Sequence, residues 1–235
     1  MINANAPRIE RAMTKLFVPY EKGEIVFASP SFGPNTYQGV GKEILSKNLK
    51  VPTGDYTASL LHPAYCNVQF SNEPEFKNIR DLMRNKWIWV FNQNLWIDKG
   101  VYVIQDLEAG GRSEPLDTNQ LEKMLKNGNE VNGVRFSQCG RVRFAPKETY
   151  NLGEQTSQSL SEDGFVVASY NVDGAKKLGE VSSKFDYNPV TYGINVNEGN
   201  QLELRVSALD GYYGRLHVCG DGFGDDGRCH AFGVL

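Results

Sequence analysis

Residues 201–235 read QLELRVSALDGYYGRLHVCGDGFGDDGRCHAFGVL. Apolar and polar residues alternate over 201–207 and again over 215–219, which is typical of β-strands with one face against a core. The alternation predicts five inward side chains, namely Leu202, Leu204, Val206, Leu216 and Val218. It also predicts three side chains that point to solvent, namely Arg215, His217 and Cys219. We therefore expect antiparallel strands joined by Gly-rich loops at this end of the chain.

The strand signal continues upstream. Residues 87–91 read WIWVF, which is apolar on both faces and typical of a central strand. We interpret the three tryptophans within 87–96 as core residues rather than as a stacking platform, because aliphatic residues lie between them. Two hairpins are predicted around three-residue loops that end in glycine, namely strands 17–20 and 24–27 around loop 21–23, and strands 95–97 and 101–104 around loop 98–100.

A further hairpin is predicted over 133–144, GVRFSQCGRVRF. A two-residue loop would place Phe136 opposite Arg143 and so mix apolar and charged residues on one face. We therefore predict the three-residue loop 138–140, which pairs Val134 with Phe144 and Phe136 with Val142. The opposite face would then carry Arg135, Arg141 and Arg143, which we interpret as solvated, with an anion site or an assembly surface as the alternatives.

Helical signals are concentrated earlier in the chain. Apolar spacing, caps and breakers predict helices around 37–48, 55–66, 74–85, 117–126 and 173–185. Pro63 is expected to end or kink the second of them, and the apolar run 165–170 is predicted to be a strand. The sum is an α+β fold of short antiparallel strands with packed helices. We divide it into a helix-rich part, 1–86, and a strand-rich part, 87–235, with one continuous domain over 1–235 as the alternative.

Composition excludes several classes of protein. The 235 residues carry a formal net charge of −3 and no block of Lys or Arg, which argues against general nucleic-acid binding. The sequence contains no run of 18 apolar residues, so no membrane span is predicted, and no cleavable signal peptide is recognisable. Four cysteines are too few for a disulfide framework at this length, so a cytoplasmic location is expected. The oligomeric state and the identity of any partner stay open.

The end of the chain also offers possible metal ligands. His217, Cys219, Cys229 and His230 supply two nitrogens and two sulfurs, the ligand types of tetrahedral zinc. The spacing is not that of a usual zinc knuckle, and adjacent Cys229 and His230 would point to opposite faces of a strand. We therefore predict no metal and no cofactor. A metal-dependent enzyme or a zinc-stabilised domain that uses these four residues is the alternative hypothesis.

Two other constellations could carry chemistry. Asp221, Asp225 and Asp226 place three carboxylates in a Gly-rich loop, but their spacing does not match an EF-hand, so we interpret the loop as a solvated turn with calcium binding left open. Cys66 lies four residues after His62 on a predicted helix, an arrangement we interpret as structural rather than nucleophilic. No motif requires an enzyme, and we predict that the protein is not one.

The composition of the last 32 residues, 204–235, is unusual. They lack Gln, Lys, Glu, Met and Trp, which together make up 46 of the first 203 residues. No codon that ends in a pyrimidine encodes any of these five residue types. Random replacement of the adenines in Asn-type codons yields the types that the segment does contain, among them Tyr, Asp, Gly, His, Cys and Arg.

With its flanks RVSAL at 205–209 and AFGVL at 231–235, this segment resembles the variable proteins of diversity-generating retroelements. In that family a reverse transcriptase copies a template with errors at adenines and so rewrites the C-terminal region. The usual scaffold is C-type-lectin-like, and its last strands and loops display the altered residues as a ligand-binding surface. The resemblance, which is concentrated in 204–235, implies a C-type-lectin-like fold and makes 87–235 the ligand-binding part.

The residue types of the segment favour binding as well. Tyrosine offers a large contact area at low entropic cost, and Arg and aromatic residues are common interface anchors. We predict a hypervariable recognition surface for a protein or another surface ligand. Its binding residues would be Tyr212, Tyr213, Arg215, His217, Cys219, Asp221, Phe223, Asp225, Asp226, Arg228 and His230. A Gly-rich closing hairpin whose tyrosines simply pack is the structural alternative.

Overall fold

The computed structural model of the chain describes residues 13–21, 23–112, 116–199 and 201–235. Its strands are β1 (Thr14–Tyr20), β2 (Gly23–Ser29), β3 (Phe32–Asn35), β4 (Ile88–Ile97), β5 (Gly100–Gln105), β6 (Asn129–Val131), β7 (Val134–Phe136), β8 (Val142–Pro146), β9 (Gly153–Glu154), β10 (Val190–Tyr192), β11 (Glu203–Asp210), β12 (His217–Gly222) and β13 (Cys229–Ala231). Its helices are α1 (Tyr37–Ser46), α2 (Gly54–Cys66), α3 (Pro74–Asn85), α4 (Thr118–Leu125), α5 (Ser157–Glu162) and α6 (Gly164–Ser182).

The main sheet is centred on β4 and β11. Its strand order in the described residues is β6-β7-β8-β5-β4-β11-β12-β10-β9, and β13 joins it to β3. The neighbouring strands β5, β4, β11 and β12 are antiparallel, whereas β10 and β12 are parallel. The expected α+β class with antiparallel strands and packed helices is confirmed, and the end of the chain supplies strands in the middle of the sheet.

Both faces of this sheet are covered. One apolar cluster packs Val90, Leu209 and Val218 against α2 and α6. A second cluster packs Val206 and Cys219 against α1 on the other face. Because β11 and β12 are covered on both faces, polar as well as apolar positions of the alternating pattern face protein.

The burial predictions for the end of the chain are partly wrong. Val206, Leu216 and Val218 are fully buried as expected, but Leu202 is 47% exposed because it precedes the first paired residue of β11. His217 and Cys219, expected in solvent, are only 7% and 3% exposed. Cys219 packs in the cluster beneath α1, and His217 packs against Asp210 and the ring of Tyr192.

The three tryptophans are core residues, as predicted. Trp89 and Trp96 are buried, and the indole of Trp96 donates a hydrogen bond of 2.8 Å to the carbonyl of Gly220. Trp87 is half-buried and meets the ring of Tyr212 edge-on at 6.2 Å. This contact ties the start of the central strand to the loop after β11.

The hairpin of β7 and β8 has the register that the sequence argument rejected. Arg135 lies opposite Phe144 and Phe136 lies opposite Arg143, so Val134–Phe144 and Phe136–Val142 are not pairs. Each guanidinium carbon lies over the opposing ring, at 4.6 Å for Arg135 and 5.6 Å for Arg143. Charge and aromatic surface are compatible on one face because the ring quadrupole attracts the cation.

The three arginines of this hairpin consequently do not form one solvated face. Arg143 is 2% exposed and donates a hydrogen bond of 2.8 Å to the carbonyl of Ala168. Arg135 pairs with Glu122 at 2.8 Å, and Arg141 pairs with Glu108 at 3.1 Å. An assembly surface built on all three is excluded by the burial of Arg143.

The predicted strand 165–170 is helical. Asp163 caps α6 by accepting hydrogen bonds from the backbone nitrogens of Phe165 and Val166, at 3.0 and 3.1 Å. A helix that is buried all round carries the same short apolar run as a buried strand, so periodicity does not separate them. The axis breaks at Asn171, with φ 61° and ψ 169°, and the predicted helix 173–185 is the part that follows.

Two of the predicted loops are shorter than expected. Tyr20 pairs with Gly23, and Ile97 pairs with Gly100, which leaves two residues rather than three in each turn. At Gly100, with φ +150°, a Cβ would lie 2.2 Å from the carbonyl oxygen of Ala145. The glycine is thus needed within β5 for a close strand approach rather than at the tip of a loop.

The helix predictions for α1 to α4 are otherwise confirmed, and α2 continues through Pro63 to Cys66. The cluster on the α2 and α6 side of the sheet extends from Leu16 to Val234, so residues on both sides of position 86 share one core. Across the described residues, no helix combines the length and apolarity needed to cross a membrane.

Candidate recognition surface

The tail, residues 204–235, presents most of its exposed side chains on two loops that join its strands. Loop A, residues 211–216, lies between β11 and β12, and loop B, residues 223–228, lies between β12 and β13. Tyr213 is 88% exposed and Phe223 is 57% exposed, and Asp225 and Arg228 are also exposed. We call loops A and B the display loops.

The backbone of loop A is anchored to its surroundings by main-chain hydrogen bonds. Gly211 donates to the carbonyl of Met83 at 2.6 Å, and the nitrogen of Tyr187 donates to the carbonyl of Gly214 at 3.0 Å. Tyr213 has a left-handed backbone with φ 54°, which turns its ring outward from these anchors. Bonds of this kind do not depend on which side chains the loop carries.

The other side chains of loop A contact neighbouring elements. Tyr212 is half-buried, and its hydroxyl donates to the carbonyl of Asn85 at 2.7 Å. Arg215 is also half-buried, pairs with Glu154 at 3.0 Å and lies 5.5 Å from the ring centroid of Tyr187. Both residues are thus placed by contacts outside the tail.

Loop B carries an aromatic ring between two cations. The guanidinium carbon of Arg205 lies 4.3 Å from the ring centroid of Phe223, and that of Arg112 lies 5.2 Å from it. Arg205 is buried and pairs with Glu203 at 2.7 Å, whereas Arg112 is exposed. The arrangement holds an exposed ring in place by cation–π attraction.

Phe223 and Asp225 line a cleft of about 330 Å³, whose other side is formed by the start of α1 and by Gly111 and Arg112. The nitrogen of Tyr37 donates to the carbonyl of Gly224 at 3.0 Å, so this loop too is anchored through its main chain. The cleft therefore offers an aromatic surface, a guanidinium and a carboxylate to a ligand.

Asp226 and Arg228 form an ion pair within loop B. Nε and Nη2 of Arg228 donate to the two oxygens of Asp226 at 3.0 and 2.9 Å. The hydrogen bonds from Arg228 lower the pKa of the Asp226 carboxyl. Burial raises the pKa of Tyr212, and the charge of Arg228 partly opposes this.

His217 and Cys219 belong to the scaffold, which corrects their predicted outward position. Nδ1 of His217 lies 2.8 Å from Oδ1 of Asp210, a fully buried carboxylate, and the ring of Tyr192 meets the imidazole edge-on at 5.4 Å. Burial holds the pKa of the Cys219 thiol well above its usual range. The prediction that His217 and Cys219 point to solvent is therefore wrong.

Asp221 and His230 occupy intermediate positions. Asp221 is half-buried, and burial raises the pKa of its carboxyl. Nδ1 of His230 lies 3.4 Å from Oγ of Ser31, and burial lowers the pKa of its imidazole, with Lys86 adding to this. Both residues border the display loops rather than project from them.

The structure does not assemble the proposed zinc set. Among the described residues, no three of His217, Cys219, Cys229 and His230 bring ligand atoms within 4.8 Å of one another. Asp221, Asp225 and Asp226 do not converge on a common point by the same measure. The metal-based alternative for the tail thus lacks the geometry that it requires.

Sequence reasoning missed several residues that border the display loops. Arg112 and Gln38 line the cleft beside Phe223, and Tyr187 and Tyr192 are exposed next to Arg215 and His217. All four lie outside the tail, and no local pattern marks them. A pairing of Arg with an exposed aromatic residue far along the chain becomes visible only in three dimensions.

The chain matches a solved structure over most of its length. That structure is described by the words "Accommodation of massive sequence variation in Nanoarchaeota by the C-type lectin fold". The match has a TM-score of 0.51 at 8% sequence identity and covers 88% of this chain and 97% of that chain. This chain has a C-type lectin fold. At this identity the likeness shows the fold alone.

The other comparisons give no relative. No family model matches the sequence, and no curated protein matches it. Loops A and B connect strands of a covered sheet, and surface loops on a rigid scaffold are where binding residues are commonly found.

Proposed function

We propose that the protein binds a ligand through its display loops, and that its C-terminal segment is a diversified recognition surface of the kind found in retroelement variable proteins. The observation that carries this proposal is the division within the tail. Main-chain hydrogen bonds to the carbonyl of Met83 and from the nitrogens of Tyr187 and Tyr37 hold the two loops, while the side chains of Tyr213 and Phe223 project into solvent. A loop held in this way keeps its path when its side chains change.

Energetics favour such a use of the loops. Exposed substitutions away from special features usually change stability by less than about 0.5 kcal/mol. Truncation of a buried leucine costs about 2–5 kcal/mol, and Leu216, the last residue of loop A, lies in the core with Val218 of β12. Variation confined to the exposed residues of the loops would therefore alter binding with little effect on folding.

The composition of 204–235 supports diversification independently of the fold. None of the 32 residues is Gln, Lys, Glu, Met or Trp, the five types that no codon ending in a pyrimidine encodes. Aromatic residues, arginine and aspartate on exposed loops match the chemistry of interfaces that recognise proteins. We infer a protein or another surface-borne ligand as the partner, with Phe223 and Arg112 as anchors beside the cleft.

A pair of display libraries tests the proposal. The first library randomises Tyr213, Phe223, Asp225 and Arg228, and the matched control library randomises the buried residues Ser207, Ala208, His217 and Cys219. We expect most members of the first library, and few of the second, to resist proteolysis as folded proteins do. Selection of the first library against unrelated proteins should then yield specific binders.

Equal losses of folded protein in the two libraries, or no specific binder from the first, would overturn the recognition reading. Diversification has a separate genetic test. A reverse-transcriptase gene and a near-copy of codons 210–230 next to this gene are expected. Their absence would contradict diversification by a retroelement and would not affect the proposal that the display loops bind a ligand.

A further inference from the structure

A group of metal-ligating side chains lies away from the tail. Among the described residues, His62, Cys66 and Glu180 bring a ring nitrogen, a thiol sulfur and a carboxylate oxygen within 4.8 Å of one another. Nε2 of His62 lies 2.7 Å from Oε2 of Glu180. His62 and Cys66 are four residues apart on α2, and Glu180 lies on α6. Residues four apart on a helix share one face, so the three groups converge from two elements.

The backbones that carry these groups are held firmly. Leu61 and Ala64 on α2, and Leu178 and Val181 on α6, are fully buried in one apolar cluster. The rings of Tyr65 and Phe185 stack at 5.2 Å beside the group. A metal needs ligands that are fixed by packing, and the helix pair provides this without a contribution from the metal.

We propose that His62, Cys66 and Glu180 bind one Zn²⁺ ion, with the fourth position left to water or an exogenous ligand. Nitrogen, sulfur and carboxylate oxygen are the zinc ligands of proteins, and three protein ligands plus one open position is a recognised coordination pattern. Bond lengths of about 2.0–2.3 Å in a tetrahedron place neighbouring ligand atoms about 3.4–3.6 Å apart. For zinc to bind, the distance of 2.7 Å between Nε2 of His62 and Oε2 of Glu180 must increase by about 0.7 Å, which side-chain rotation at this half-exposed site provides.

Binding replaces the thiol proton of Cys66 with the metal and releases that proton to the solvent. Burial raises the pKa of this thiol, Lys184 partly lowers it and Glu180 raises it further. The zinc ion would bridge α2 and α6, the two helices on the Val218 side of the sheet. The cleft beside Phe223 is formed by α1 instead, so this site is independent of the display loops.

Metal titration of the untagged full chain tests the site. Co²⁺ is the spectroscopic probe, because a cobalt–thiolate bond gives a near-ultraviolet charge-transfer band, and Zn²⁺ is the competitor. We expect one equivalent of Co²⁺ to produce the band and one equivalent of Zn²⁺ to abolish it.

Variants separate this site from adventitious binding. Cys66→Ser should abolish the band, and His62→Ala and Glu180→Gln should each weaken binding by about ten-fold or more. The matched controls Cys139→Ser and Glu162→Gln change an exposed thiol and an exposed carboxylate outside the group, and should bind as the parent does. Glu180 is exposed, so Glu180→Gln keeps the test valid if another variant fails to fold.

Three results would overturn the proposal. The first is a parent protein without the thiolate band at one equivalent of metal. The second is a band that survives Cys66→Ser but disappears in Cys139→Ser. The third is binding that is unchanged in Glu180→Gln, since a surface thiol alone would then account for the metal.

Discussion

Two regions of the same 32-residue tail have the same restricted composition and opposite environments. In β11 and β12, Asp210, His217 and Cys219 are buried, the first two as a hydrogen-bonded pair and Cys219 in the cluster beneath α1. In the display loops, Tyr213 and Phe223 project into solvent from a backbone that main-chain bonds hold. Whether a residue of the tail belongs to the scaffold or to the exposed surface therefore depends on what covers it and not on its residue type.

The largest difference between the regions is expected for Leu216→Ala. Leu216 is fully buried, so its truncation removes packed surface and should cost about 2–5 kcal/mol of unfolding free energy. Tyr213→Ala, in the same loop, removes an exposed ring and should cost less than about 0.5 kcal/mol. Denaturant unfolding of both variants measures the contrast, and similar losses would show that loop A is part of the core.

A smaller effect is expected where the buried strand ends carry polar groups. Asp210→Ala removes the acceptor for the nitrogen of Tyr212, at 2.9 Å, and the partner of His217. Buried donors without a partner cost about 1–3 kcal/mol, which is the expected loss of stability. Asp225→Ala is the exposed control and should unfold at nearly the parent's denaturant concentration. If the two aspartates behave alike, the Asp210–His217 pair is not structural.

Phe223→Leu tests the link between the two regions. The substitution removes the aromatic face that Arg205 and Arg112 contact while it keeps an apolar side chain. Each cation–π contact at an exposed site contributes about 0.5–1 kcal/mol, so a loss near 1 kcal/mol is expected. Arg112→Ala should produce about half of it, whereas an unchanged stability in both variants would mean that the ring is free in solution.

The smallest effect concerns the Asp226–Arg228 pair. Because Arg228 lowers the pKa of Asp226 in the folded protein, the pair stabilises the fold above the carboxyl's unfolded pKa of about 3.9. This contribution is lost as pH falls through the lower, folded pKa. Arg228→Ala should thus differ slightly from the parent at neutral pH and match it in strong acid. A gap that widens on acidification would contradict the pairing.

The elements that could be predicted from the sequence share a local signal. The helices α1 to α4 have caps, periodic apolar faces and breakers, and β4, β11 and β12 have long apolar or alternating runs. The C-type lectin fold was expected from the resemblance of the tail, and the solved structure matches over 88% of this chain. Within the candidate site, the exposure of Tyr213, Phe223 and Arg228 was also predicted.

The failures occur where a second element changes the meaning of a pattern. The run 165–170 is helical because burial on all sides removes the period that would mark a helix. The register of β7 and β8 differs because Arg135 and Arg143 lie over aromatic rings, a contact that polarity alone treats as unfavourable. Hairpin patterns did not reveal that Gly100 is needed for the approach of Ala145.

The sequence by itself determined helices α1 to α4 and the strands β4, β11 and β12, and it determined the restricted palette of 204–235. These are properties of neighbouring residues, of their spacing and of their codons. The tertiary structure alone decided that α1 covers the second face of the sheet, which buries Cys219, and that Asp210 and Tyr192 pack against His217. Only the tertiary structure placed the side chain of Arg112 beside Phe223 and that of Glu180 beside His62. Contacts between distant residues depend on how whole layers pack, and no local pattern carries that information.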